Sequence, residues 1–449
     1  MTTEPAQSSD PRPMLERWRV RCTDTKVDYP PREIRYRSEN GALLEVIHEL
    51  DALQALSLRE TWTRRLGAFT GADGSGVWRY RELILPVDSH APVTMREGST
   101  PLYEANRIGN WANVSNLLLK HEGHNPTGSF KDRGMTAGVT AAKLLGQRAV
   151  ACASTGNTSA SMAAYAAHAG MHAVVFIPAG GIALGKLSQA LAYGATVVQI
   201  RGNFDDAMRL VQEVCRDQGV YLLNSINPYR IEGQKAIGIE MMHQLGWNVP
   251  DWIVVPGGNL GNSSAIYKGL AELCYLGMID RLPRIAVAQA TGAAPLYAAF
   301  KDDALADEPR SVTNPKTLAS AIRIGSPVSW GKCVRAIQAT KGVVTAVSDE
   351  EILAAKREVD GAGIGAEPAS CASVAGLKKL VGEGVISKQA RVVCVLTGHV
   401  LKDADAVIAQ HAPGGDLSKL PVCEPTLTSV SEVVSRTLGL DPSKEGLNS

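Results

Sequence analysis

Residues 121–135 read HEGHNPTGSFKDRGM and place one lysine, Lys131, directly after a Gly-Ser-Phe turn and at the head of a helix-like run, DRGMTAGVTAAKLLG. An amine there lies near backbone N–H groups and the positive end of a helix dipole, which favours its neutral form. A neutral, positioned amine is what Schiff-base chemistry with a carbonyl compound requires. The same residues would also suit an ordinary surface lysine at a helix start.

Four further stretches carry chemistry. Residues 149–170, AVACASTGNTSASMAAYAAHAG, run from a strand through Ser154, Thr155, Gly156, Asn157 and Thr158 into an alanine-rich helix. Such a turn offers N–H groups and hydroxyls to an anion, and it would equally well just cap its helix. Residues 250–269, PDWIVVPGGNLGNSSAIYKG, end a buried strand in Gly257-Gly258-Asn259-Leu260-Gly261-Asn262, with a helix opening at Ser263. Glycine lets successive N–H groups converge on phosphate oxygens. The spacing is neither the dinucleotide G-x-G-x-x-G nor the nucleoside-triphosphate loop ending in G-K-[ST]. In VVCVLTGHVLKD, residues 392–403, a strand ends at Thr397, whose hydroxyl would point into a cleft, while His399 reads as structural. In LNSINPYRIEGQKAIG, residues 223–238, Arg230 offers a planar fork suited to phosphate. Glu232 and Lys235 there read as an ion pair at a helix start.

These stretches need strands to hold them. Asn116–Lys120, Ala149–Ala153, Ala173–Ile177, Thr196–Ile200, Trp252–Val255, Ile285–Ala288 and Val392–Leu396 read as buried strands, with helices between them over Asp205–Asp217 and Ser263–Leu276. That alternation argues for α/β architecture with largely parallel sheets, whose ligands sit beyond the carboxyl ends of the strands. At 449 residues the chain is too long for one core and suggests two domains plus an appendage. The first hundred residues read as a small mixed extension, Lys301–Pro315 as a surface loop, and the last forty as a polar tail with an amphipathic run near Ser429–Leu438. A formal net charge of +1 offers no footprint for nucleic acid or an anionic membrane. No apolar stretch reaches the roughly 18 residues a membrane span needs. The N-terminus MTTEPAQSSDPRP lacks the apolar core of a secretion signal. Cysteines 22, 152, 215, 274, 333, 371, 394 and 423 form no C-x-x-C pair, so no disulfide framework or zinc site is indicated, and the cytoplasm is the simplest location.

Taken in order, these stretches resemble the threonine synthases, pyridoxal-phosphate (PLP) enzymes of fold type II, the tryptophan synthase β-like fold. Weaker echoes at SGVWRYREL, AQATGAAPLY and SAIRIGSPVS extend the likeness to about residues 75–405, nearest the longer, plant-like branch. The resemblance implies two open, twisted, mainly parallel sheet domains with an N-terminal extension. It divides the chain into an extension 1–95, a large PLP-binding domain 96–139 with 223–410, a small mobile domain 140–222 and a tail 411–449. It makes Lys131 the catalytic, cofactor-bonded lysine. Asn157 would bond the cofactor's phenolic oxygen, Gly258, Asn259, Leu260, Gly261 and Asn262 would cup its phosphate, and Thr397 would meet its pyridine nitrogen. Ser154, Thr155 and Thr158 would surround the substrate's carboxylate or phosphate, and Asn224, Ser225 and Arg230 its leaving phosphate. The implied reaction is γ-elimination and β-replacement on O-phospho-L-homoserine with water, giving L-threonine and phosphate as the last step of threonine biosynthesis. A homodimer acting on small molecules is implied, without nucleic-acid or membrane partners.

The chain departs from the family in places. Many relatives have glycine where Val400 stands, and several have cysteine pairs where this chain has Ser38 and Asn40, which disfavours a metal at the N-terminus. Plant members respond to S-adenosylmethionine, and no residue here carries that property over. Glu367, in GAEPASCAS, would face the cofactor or serve as a helix-start carboxylate. The rival activities are a cysteate synthase using phosphoserine and sulfite, a threonine or serine dehydratase, and a non-catalytic PLP-binding sensor. Asn224, Ser225 and Arg230 count against dehydratases, whose substrates bear no phosphate.

Overall fold

The structure of the protein, a computed structural model, describes residues 12–179, 184–202, 204–305 and 309–438. Residues 1–11 of the expected extension, 306–308 of the expected loop and 439–449 of the expected tail lie outside them. The chain divides into two compact units, Met1–Lys402 and Asp403–Ser449. The second unit contains the helices Ala404–His411 and Leu427–Leu438.

In the first unit, six strands form one sheet in the order Val343–Val347, Arg284–Ala290, Trp252–Pro256, Arg391–Leu396, Asn116–His121, Leu102–Glu104. All neighbours are parallel except the last pair. The central strands are buried runs rich in valine and isoleucine, because helices cover both faces of a parallel sheet. The last strand among the described residues, Arg391–Leu396, inserts between Trp252–Pro256 and Asn116–His121. Three parallel strands therefore end side by side, at Pro256, Leu396 and His121. The segments that follow them are the glycine loop, Thr397 and the turn leading to Lys131. This is where an open α/β sheet holds its ligand.

A second, four-stranded parallel sheet has the order Thr196–Ile200, His172–Pro178, Ala149–Ala153, Tyr221–Leu222. Ser154–Thr158 leaves it at the end of Ala149–Ala153 and enters the helix Asn157–His168. The extension is an antiparallel sheet of Asp28–Tyr29, Arg19–Cys22 and Leu44–Ile47, followed by the helix Ala55–Arg65. Its strands alternate buried and more exposed residues, so only one face joins the core.

Candidate active site

Backbone hydrogen bonds stitch the Lys131 turn to the Thr397 strand end. Phe130 N–H donates to the Thr397 carbonyl at 3.0 Å, and His399 N–H donates to the Gly128 carbonyl at 2.9 Å. From the other side, Glu367 N–H donates to the Gly398 carbonyl at 3.1 Å. Segments distant in sequence, 128–131, 366–367 and 397–399, thus form one rigid rim.

Lys131 is the first residue of the helix Lys131–Leu144. That helix runs against Pro228–Gln244 so closely that a Cβ on Gly233 would stand 1.7 Å from the Arg133 carbonyl oxygen. Only glycine permits the approach. The fully buried Arg133 anchors the same turn through Glu122 (Nε to Oε2, 2.6 Å) and Glu240 (Nη2 to Oε1, 2.8 Å). Lys120 reaches the same Glu240 oxygen at 2.6 Å, so two cations share two carboxylates. The neighbouring Asp132 accepts from Thr127 N–H and Thr127 Oγ1, each at 2.6 Å, and from Ser161 Oγ at 2.5 Å. Burial raises the Asp132 carboxyl to about 6, against those hydrogen bonds.

Lys131 keeps partial solvent access, yet burial, joined by the charge of Arg230, lowers its amine to about 7, with Glu367 opposing. Desolvation is the largest of these causes, beside the helix-start position expected to favour the neutral amine. Across the cleft, Asn157 Nδ2 lies 3.2 and 3.1 Å from the two Glu367 oxygens. Thr397, 5% exposed, has its Oγ1 3.1 Å from Ser370 Oγ and 3.5 Å from Glu367 Oε1.

The glycine loop runs into the helix Gly261–Tyr275, two residues before the expected start, with Leu260 held left-handed at φ 63°. Ser329 N–H donates to the Asn259 carbonyl and Val328 N–H to its Oδ1, at 3.1 and 3.3 Å, which fixes the loop from behind. Asn262 is 6% exposed, and neither its Oδ1 nor its Nδ2 has a partner. A buried amide left unsatisfied at a helix N-terminus fits an anionic group such as the phosphate of PLP.

The expected phosphate-side residues split. Arg230 is 3% exposed and donates from Nη1 to the Leu223 carbonyl at 3.1 Å, while its Nε is unpartnered. Burial lowers it to about 10, with no carboxylate among the causes to counter that. Asn224 instead turns to the backbone, accepting from Ala153 N–H at 2.9 Å and donating to the Ala153 carbonyl at 3.0 Å. It ties the small sheet's edge together and keeps one free N–H. Ser225, Thr155 and Thr158 are part-exposed, and Ser154 Oγ accepts from Gly156 N–H at 3.3 Å.

Comparison with known proteins shows the family. A family model described as pyridoxal-phosphate dependent enzyme matches residues 93–398. A threonine synthase of Methanosarcina acetivorans is 49% identical over 87% of this chain and 94% of its own length. The chain belongs to the threonine synthase family. It is a PLP-dependent lyase. A Mycobacterium tuberculosis threonine synthase is 50% identical over 73% of this chain and 89% of its own. Threonine synthase 2, chloroplastic, of Arabidopsis thaliana is 41% identical over 85% of this chain and 75% of its own. Among solved structures, maize serine racemase aligns with a TM-score of 0.60 at 19% identity, covering 83% of this chain and 99% of its own. That likeness shows the shared fold type II.

In this threonine synthase family member, Asp132 and Ser161 lie within the quoted stretches and Ser370 outside them, and none of the three is marked by its type or spacing, since each acts through contacts made in the fold. Glu232 and Lys235 do pair, at 2.6 Å, near the start of the helix Pro228–Gln244 and within a buried cluster. Among the described residues, His48, Glu232 and Glu272 form one trio of metal-ligand types. Lys235 bridges Glu232 and Glu272, and Lys268 pairs with Glu232, so ammonium groups already neutralise those carboxylates.

Proposed function

We propose that this chain converts O-phospho-L-homoserine and water to L-threonine and phosphate. PLP, held covalently by Lys131, supplies delocalisation of the negative charge left when a proton leaves the substrate carbon beside nitrogen. In this reading Asn157 donates to its phenolic oxygen, Thr397 meets its pyridine nitrogen and Gly258–Asn262 cup its phosphate. Lys131, with an amine near 7, accepts the α-proton and later returns one. A neutral hydroxyl at 397 does not hold the pyridine nitrogen protonated as a carboxylate would.

Asn224, Ser225 and Arg230 stabilise charge gathering on the leaving phosphate, Asn224 through the N–H that Ala153 does not take. Ser154, Thr155 and Thr158 surround the substrate's carboxylate or phosphate. The single observation that carries this reading is Arg230, a buried guanidinium without a carboxylate partner that acts electrostatically on Lys131. A buried unpaired cation calls for an anion.

We further read residues 140–222 as a small domain that closes over substrate. Ser161 bonds Asp132, Gln189 bonds Lys402, and Asn157 bonds Glu367, each pair joining that segment to the large sheet's side. Closure would exclude water until it is needed. A cytoplasmic homodimer acting on small molecules, with no nucleic-acid or membrane partner, accords with the near-zero net charge and the frequency of two-fold assemblies. No helix among the described residues is long and apolar enough to cross a membrane.

The test is to supply O-phospho-L-homoserine to the PLP-loaded protein and follow phosphate and threonine together. Equal amounts support the proposal. Phosphate without threonine means elimination to an oxo acid, and no phosphate directs the search to phosphoserine with sulfite.

A further inference from the structure

Glu367 occupies a place for which the catalytic reading has no use. Its backbone precedes the helix Pro368–Gly382, yet its side chain makes no cap hydrogen bond to that helix. The carboxylate, on a residue 4% exposed, crosses the cleft and lies 3.2 and 3.1 Å from Asn157 Nδ2 through its two oxygens. The room it occupies is kept open by Gly398, where a Cβ would stand 2.4 Å from Oε1 and 2.6 Å from Cδ.

An asparagine amide has a donor end and an acceptor end of nearly equal shape, and only its hydrogen-bond partners decide which way it points. Carboxylate oxygens accept, so the NH2 end must face Glu367. Nδ2 carries two hydrogens, and one remains for another acceptor. The cofactor's phenolic oxygen is such an acceptor, whereas a flipped amide would offer it a carbonyl and repel it.

We propose that Glu367 is a positioning residue: by holding one N–H of Asn157 it keeps the second N–H, and not the carbonyl, turned to the cofactor's phenolic oxygen. This rests on the reading of Asn157 as the contact to that oxygen. The charged groups acting on Lys131 are Arg230 and Glu367, and Lys402 also acts on Glu367. The carboxylate thus does a second service, favouring the Lys131 ammonium against burial and Arg230.

The experiment compares PLP-loaded wild type, Glu367→Gln, Gly398→Ala and Asn157→Ala by visible absorbance from acid to alkaline pH, with PLP affinity measured by fluorescence. Glu367→Gln keeps the shape but allows either amide orientation. The yellow form, which carries its negative charge on the phenolic oxygen, should give way at neutral pH to the form protonated there. PLP should bind roughly tenfold more weakly, the scale of one charge-assisted hydrogen bond. Gly398→Ala keeps the carboxylate but pushes it from Asn157, so it should move the spectrum the same way. That variant carries the test if Glu367→Gln does not fold. A wild-type spectrum and affinity in both variants, with Asn157→Ala altered, overturns the proposal and leaves the Asn157 reading intact. A wild-type spectrum in Asn157→Ala as well removes Asn157 from the cofactor contact, and the proposal falls with it.

Discussion

Phe130 N–H donates to the carbonyl oxygen of Thr397 at 3.0 Å, so the residue before Lys131 hangs from the strand end that carries the Thr397 hydroxyl. Lys131 and Thr397 therefore keep a fixed separation whatever the small sheet does. In the proposed closure the Asn157 loop meets this rim through the side-chain pairs Asn157–Glu367 and Ser161–Asp132.

Lys131→Ala should lower turnover by about 10³-fold or more, since it removes the group moving the proton. Borohydride treatment of the PLP-loaded protein should mark Lys131 in wild type and nothing at that position in the variant, as read by mass spectrometry. Because the amine titrates near 7, its capture of PLP by the apoprotein should rise as pH rises through that value. In the cofactor-free protein the melting temperature should not fall, because a desolvated amine is being removed from a partly enclosed site.

The strands that hold the site were legible because Trp252–Pro256 and Arg391–Leu396 are short valine-rich runs that only a doubly covered sheet requires. Tyr221–Leu222 and Leu102–Glu104 were not, being two and three residues long with no period to read. Lys131, Arg230 and the glycine loop stood out by residue type and position. Asn224 looked alike from the sequence, and only the fold shows its amide bonded to both backbone groups of Ala153, with one N–H left over. Glu367 and Asn157 are 210 residues apart and meet only after both sheets are built. Pairing of that range leaves no mark in a single sequence.

Asp132 gives a pH signature of its own. Its carboxyl is raised from 3.8 to about 6 in the fold, so between those values the folded chain holds a proton that the unfolded chain has lost. The stability this contributes is complete below about 4 and is lost as pH rises through about 6. A shift of about two units corresponds to roughly 3 kcal/mol. Asp132→Asn should flatten that slope, measured as urea-unfolding free energy at pH 4, 5, 6 and 7. An unchanged slope would assign the dependence to other groups.

Arg133 tests how the helix bearing Lys131 is anchored. Arg133→Met leaves Glu122 with only the neutral donors of Thr100 and Asn125, and Glu240 with Lys120 and the Ser99 and Thr100 N–H groups, and breaking such a buried ion cluster costs about 3–5 kcal/mol. Gly233→Ala reaches the same helix by a steric route, forcing apart two backbones where a Cβ would stand 1.7 Å from an oxygen. Overpacking typically costs about 1–3 kcal/mol and should exceed that range here, because backbone cannot swing aside. Denaturant midpoints check both, and both should also weaken PLP retention.

Arg230 separates its two assigned tasks by a pair of variants. Arg230→Gln removes the charge that helps lower the Lys131 amine, so the pH midpoint for trapping PLP on the apoprotein should move above 7. The same change should raise KM for O-phospho-L-homoserine about 10–100-fold, through loss of charge-assisted bonds to phosphate. Arg230→Lys keeps the charge and loses the fork. It should leave the trapping midpoint near 7 while KM still rises, because an ammonium cannot hold two phosphate oxygens in a plane. If both variants raise the midpoint alike, the influence on Lys131 comes from packing and not from charge. If neither changes KM, the anion that Arg230 awaits is not the substrate's phosphate.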